Sequence, residues 1–179
     1  MNVHLIMTIM AADRPGLVEA VSKVIEAHGG NWLESRMAQL AGQFAGILRV
    51  EVPARRADEV LADLRRLEAQ GWHLVIERSS AEPRGPAAAR RIRLDLTGHD
   101  RPGIVRQVTQ VLAARRVNIE ELSTQLTTTP MSGGPLFTAS AVLQVPAGVA
   151  LDDLRNGLEK IAADLMVDIS LVEEGSPSP

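Results

Sequence analysis

The chain of 179 residues is 45% hydrophobic, 23% charged and only 2% aromatic, a composition that builds an aliphatic globular core and excludes a disordered chain. Its formal charge is -3 and neither half is net positive, which excludes a polycationic surface for direct duplex binding; with no cysteine, disulfides, thiolate metal sites and a cysteine nucleophile are excluded as well. No apolar run reaches the ~18 residues of a membrane span and no cleavable leader is evident, so a cytoplasmic protein without membrane contact is expected.

In chain order, Leu5, Met7 and Ile9 recur at period two and predict a strand. The stretch "ADRPGLV" (12–18) hands over to an apolar stripe at helical spacing, Leu17, Val18, Val21, Val24 and Ile25. Asn31 opens a second strand, and Phe44, Leu48, Val50 and Val52 mark one face of a third. Val60, Leu61, Leu64 and Leu67 mark a second helix, and "WHLVIER" (72–78) is the closing strand. A Ser-, Pro-, Gly- and Ala-rich stretch follows, "SSAEPRGPAAARR" (79–91), which reads as a linker.

The pattern then repeats. Ile92, Leu94 and Leu96 lead into "HDRPGIV" (99–105), 87 residues after the first copy, and into a second stripe, Ile104, Val105, Val108, Val111 and Leu112. Asn118 matches Asn31. Beyond it the offset grows to 93, as Pro146 matches Pro53, so the second copy holds six extra residues near "TTTPMSGGP" (127–135). Phe137, Ala141, Leu143 and Val145 form the next strand face, Leu151, Leu154, Leu158 and Ile161 a helix, and "MVDISLVEE" (166–174) the last strand. Both copies read strand, helix, strand, strand, helix, strand. The expected class is α+β, two tandem ferredoxin-like βαββαβ units over 1–80 and 91–174, joined by a linker at 81–90 and followed by a disordered tail at 175–179.

The repeated motif has chemistry suited to a small zwitterion. Asp13 and Asp100 stand where an N-cap belongs, and Pro15 and Pro102 suit a first helical turn. Gly16 and Gly103 remove a side chain where free amides face outward, so that a carboxylate can approach. Asn31 and Asn118 would add donor and acceptor contacts, and His99 is the one histidine beside a motif. The same residues equally suit caps and turns with no ligand. His4, His28 and His73 lie elsewhere, without the spacing of a metal site. No nucleophile elbow or phosphate loop appears, so no catalytic residue, metal or cofactor is expected. The arginines of "ARRIR" (89–93) and Arg115 with Arg116 read as strand-edge charges and a helix end.

Asp-Arg-Pro-Gly between the first strand and helix of a βαββαβ unit, with an Asn-apolar pair opening the second strand, resembles the ACT domain, a small regulatory module that binds amino acids. Two such units filling a chain of this size, with "TTTPMSGGPLF" in the second hairpin, resemble more narrowly the glycine cleavage system transcriptional repressor family. The resemblance implies a non-enzymatic regulator that responds to a small amino acid, glycine or similar, and acts through a DNA-binding activator protein without direct contact to nucleic acid. It carries over Asp13, Gly16 and Asn31, then Asp100, Gly103 and Asn118, as ligand-binding positions. Ala11 and Ala12 lack the polar side chains some ligand-binding loops of this kind carry, so the first site is expected to be the weaker. Two other readings remain open: a regulatory module like those preceding the catalytic region of formyltetrahydrofolate deformylase and of several amino-acid biosynthetic enzymes, and an interaction scaffold without ligand. Open edge strands leave association into a homo-oligomer undecided.

Overall fold

A computed structural model describes residues 1–79, 89–128 and 134–174. The chain divides into two compact units, Met1–Arg84 and Gly85–Pro179. The first runs β1 (Asn2–Ala12), α1 (Leu17–Ala27), β2 (Asn31–Leu40), β3 (Gln43–Pro53), α2 (Ala57–Arg66) and β4 (His73–Ser79). The second runs β5 (Ala89–His99), α3 (Ile104–Ala114), β6 (Asn118–Thr128), β7 (Pro135–Pro146), α4 (Leu151–Leu165) and β8 (Val167–Glu173). Each is an antiparallel four-stranded sheet in the split βαβ order, β2-β3-β1-β4 and β6-β7-β5-β8, with its two helices packed on one face. The expected α+β, ferredoxin-like class is what the chain adopts.

The period-two positions face the helices in both sheets. Leu5, Met7 and Ile9 of β1 meet Val50, Leu48 and Gly46 of β3, while Ile92, Leu94 and Leu96 of β5 meet Leu143, Ala141 and Ala139 of β7. Helix residues Val21, Ile25, Val60 and Leu64 close the first core, and Val108, Leu112, Leu154 and Leu158 the second. Each such aliphatic side chain contributes about 1.5–3 kcal/mol by leaving water. Val18 and Val105, counted in the helical stripes, instead stay exposed on the second residue of their helices. Trp72 is buried in the first core, just ahead of β4.

A register shift interrupts β2 between Trp32 and Glu34 and β6 between Ile119 and Glu121, the same place in both copies. The hairpins differ. β2 and β3 are joined by Ala41 and Gly42 alone, both at positive φ (50° and 78°), the mirror-image turn whose twist suits a two-residue hairpin. β6 and β7 are separated by residues 129–134, so four of the six extra residues fall between the strands and one lengthens each strand. The centre of the expected insertion and the expected tail lie outside the described residues, as does the expected linker up to residue 88; Ala89 and Arg90 already pair with Pro146 and Val145 in β5.

Candidate functional site

The two Asp-Arg-Pro-Gly segments link the first strand of each unit to its first helix, and each is tied down twice. The backbone N–H of Asp13 donates to the Gly42 carbonyl at 2.9 Å, and that of Asp100 to the Pro135 carbonyl at 3.0 Å, fastening the loop to the tip of the adjacent hairpin. Arg14 donates to the Gln70 carbonyl at 3.4 Å, beyond the end of α2, and Arg101 to the Asp164 carbonyl at 3.1 Å in the last turn of α4. A cation there faces the negative end of a helix dipole. The arginine of the motif therefore holds the second helix, a role hidden in the sequence because its partner lies 56 or 63 residues away.

Gly16 and Gly103 adopt left-handed φ values of 90° and 97° and are themselves the N-caps of α1 and α3. Their carbonyls accept the first helical hydrogen bonds, from Ala20 and Gln107, at 2.9 Å each. This corrects the expected capping by Asp13 and Asp100, which lie three residues ahead of the cap. Pro15 and Pro102 likewise precede the helix. The left-handed glycine inserts a turn between strand and helix and carries the aspartates away from the first helical amides. Neither helix start has a side-chain cap, so the N–H groups of its first turn lack an intrahelical partner and form an anion-accepting end.

The two ends differ in charge. The third residue of α1 is Glu19, whose Oε2 lies 3.8 Å from where a Cβ on Gly16 would stand. Its hydrogen bond to Lys23 (2.8 Å), together with that lysine's charge, holds the Glu19 carboxyl below its ordinary range, so it stays anionic. In α3 the same position is Arg106, and the Nε2 of Gln107 lies 3.7 Å from the Cβ position of Gly103. A carboxylate thus meets a fixed negative charge at Gly16, and at Gly103 a side-chain amide on a helix whose first turn carries an arginine in place of the glutamate. His99, the last residue of β5, is exposed at this same end, its Nδ1 4.0 Å from the Cβ position of Gly134. Gly98, just ahead of the motif, lies against Val167 of β8, where a Cβ would stand 2.5 Å from Cγ1.

The asparagines are not brought to the glycines of their own units. Asn31 pairs with Glu51, which stands opposite His4 near the start of β1, whereas the motif follows Ala12 at its other end. Asn118 pairs with Gln144, opposite Arg91, whereas the second motif follows His99. Eight residues of strand lie between in each case, about 26 Å at 3.3 Å per residue. One free amino acid cannot reach across that distance.

Among the described residues, no group of three His, Asp or Glu side chains could hold a metal ion. His28 is taken up between Asp63 (2.9 Å) and Glu59 (3.5 Å). The arginines of β5 lie on a central strand, not an edge, and are ion-paired: Arg90 with Glu173, Arg91 with Glu120 and Glu174, Arg93 with Asp95.

The family described as the ACT domain matches residues 3–76 and 91–172. Curated relatives named glycine cleavage system transcriptional repressor, from Escherichia coli (strain K12) and Shigella flexneri, are 28% identical over 120 residues. That match takes in 66% of this chain and 63% of each relative, less than two thirds of their length. A crystal structure of an unknown protein from Galdieria sulphuraria is similar over 98% of this chain and 100% of that one, with a TM-score of 0.86 and 28% identity. Another, of a candidate glycine cleavage system transcriptional repressor, shares the fold over 98% of this chain and 99% of that one, with a TM-score of 0.69 and 22% identity.

Proposed function

The chain belongs to the ACT-domain family, and from that premise we propose that it is a non-enzymatic regulator whose second unit senses a small free amino acid, glycine or a close relative. The observation that carries this reading is the uncapped start of α3 at Gly103, beside the Gln107 amide and with Arg106 as the third residue of the helix. A ligand carboxylate takes the helix-end amides and the cation, with His99 at the rim. The first unit, with Glu19 at the matching place, is the weaker or silent site. Asn31 and Asn118 take no part in the site around the glycine of their own unit.

Occupancy is passed to a protein partner, a DNA-binding activator, in place of direct contact with a duplex. Two observations support this arm: the relatives carry the name of a transcriptional repressor, and the arginines of β5 face carboxylates within 4 Å, leaving that strand no free basic stripe for phosphates. No helix among the described residues is long and apolar enough to cross a membrane, and we place the protein in the cytoplasm.

Calorimetric titration with glycine, alanine and serine tests the sensor. Arg106→Glu, which gives α3 the charge found in α1, is expected to weaken binding at least about tenfold, or about 1.4 kcal/mol, with melting unchanged because Arg106 is exposed. Absence of binding at millimolar concentration, or an Arg106→Glu variant that binds as well as the parent, overturns it.

A further inference from the structure

The two sheets share a fold but not the character of the face their helices leave open. In the first unit that face carries Ile6 of β1, Ile47 and Arg49 of β3, and Glu34 and Arg36 of β2. A cavity of about 180 Å³ is lined by these five residues together with Ser35 and Leu48. Ile6 and Ile47 offer apolar walls, 41% and 53% exposed. Arg49 stands opposite Ile6 on one side and Glu34 on the other, while Glu34 faces Arg36 at 3.4 Å. The Nε of Arg49 is shut off from solvent without a hydrogen-bond partner, and among the described residues its guanidinium has no ion pair. A guanidinium cannot shed its charge, so a half-buried one without an acceptor favours any anion that reaches it.

The duplicated unit shows the alternative. There the positions of Ile6, Ile47 and Arg49 are held by Arg93, Ser140 and Val142. The cation of that face is satisfied internally: Arg93 meets Asp95 at 3.0 Å, and Asp95 also accepts from Ser140 at 2.7 Å. The position of Asp95 is Thr8 in the first unit. In one copy the carboxylate of the face pairs with its arginine; in the other the carboxylate, Glu34, pairs with Arg36, and Arg49 is left beside apolar walls and an opening.

The geometry points to a second binding site, on the open face of the first sheet, for a short aliphatic carboxylate. The carboxylate pairs with Arg49, and the hydrocarbon lies on Ile6 and Ile47. The volume equals about six waters at about 30 Å³ each, which suits an acyl chain of roughly four or five carbons. A free short-chain acid and an aliphatic amino acid share this chemistry. The site belongs to the first unit, Gly103 to the second, and it does not depend on the sensor reading.

Amide NMR titration of the full chain with isovalerate, L-valine and isobutylamine tests it. Isovalerate is expected to give saturable shifts at residues 6, 34–36 and 47–49, and isobutylamine none there. Arg49→Met is expected to weaken the response at least about tenfold, and so is Ile6→Asp, which replaces an apolar wall with a carboxylate opposite Arg49, on the side away from Glu34. Valine shifting the same residues extends the site to amino acids; valine silent there restricts it to the free acid, and both results uphold the site. No saturable shift with either carboxylate, an equal response to isobutylamine, or binding indifferent to both substitutions in folded protein overturns it. Glycine shifts at residues 99–107, read in the same spectra, report on the sensor separately.

Discussion

Gly103 and Gly98 lie five residues apart and are glycine for different physical reasons. At Gly103 the backbone is left-handed, and a Cβ would meet nothing nearer than 3.7 Å, so Gly103→Ala is expected to cost only the conformational penalty, about 1–2 kcal/mol. At Gly98 a Cβ would stand 2.5 Å from Val167 Cγ1 and 3.0 Å from its Cα, so β5 and β8 must part to admit it. Urea denaturation is expected to show the larger loss for Gly98→Ala. Asp63 carries a second residue-scale expectation. A hydrogen bond from His28 lowers its carboxyl below the ordinary value, with burial opposing and the charges of Arg66 and His28 assisting. A folded value below the unfolded one contributes stability above the unfolded range and loses it as pH falls through the folded value. Asp63→Asn is therefore expected to lower the urea midpoint at neutral pH and to differ progressively less from the parent below about pH 4.

The helix pairs of the two units are fastened at equivalent positions by different chemistry. Between α1 and α2 the tie is His28 with Asp63 and Glu59; between α3 and α4 it is Arg115, which meets Asp153 at 2.9 Å and donates back to the Val111 carbonyl at 3.3 Å. Gly157 makes room, since a Cβ there would stand 2.5 Å from the guanidinium. Arg115 thus caps the helix that precedes it, as a cation at a helix end should, and it also crosses to the next helix, which no local pattern reveals. Because Asp153 is largely exposed, Arg115→Ala is expected to cost only about 1 kcal/mol after solvent screening. Guanidinium does not titrate, so thermal melts at pH 5 and pH 8 are expected to show the same loss.

At the scale of the whole molecule, the described residues form two hydrophobic cores that share no residue. Each holds the aliphatic stripes of two helices and of its sheet, the condition for a unit that folds alone. Residues 1–84 produced by themselves are expected to melt cooperatively, and a gradual, non-cooperative melt would contradict that. Leu143 is fully buried beneath α3 and α4, so Leu143→Ala is expected to cost about 2–5 kcal/mol in the second unit. The doubling also explains why the copies can diverge in chemistry. A βαββαβ unit constrains its inner faces through packing and leaves loop ends and the open sheet face free, and there Glu19 differs from Arg106 and Arg49 from Val142.

Element order, fold class and the place of the motif were legible in the sequence because they rest on local periodicity. Residues at period two must share a sheet face, residues at helical spacing must share a stripe, and the recurrence of both with Asp-Arg-Pro-Gly left one arrangement. Three things were decided only by the tertiary structure. Capping passed from Asp13 and Asp100 to Gly16 and Gly103, because a left-handed turn separates strand from helix. Asn31 follows Gly16 by 15 residues yet lies at the far end of the sheet, because α1 carries the chain back along the whole strand before β2 begins. Among the described residues Arg49 forms no ion pair although register sets Glu34 opposite it, because Glu34 pairs with Arg36, while Arg93 pairs with Asp95 along its own strand; which charges meet on a sheet face depends on side-chain placement that spacing alone does not encode.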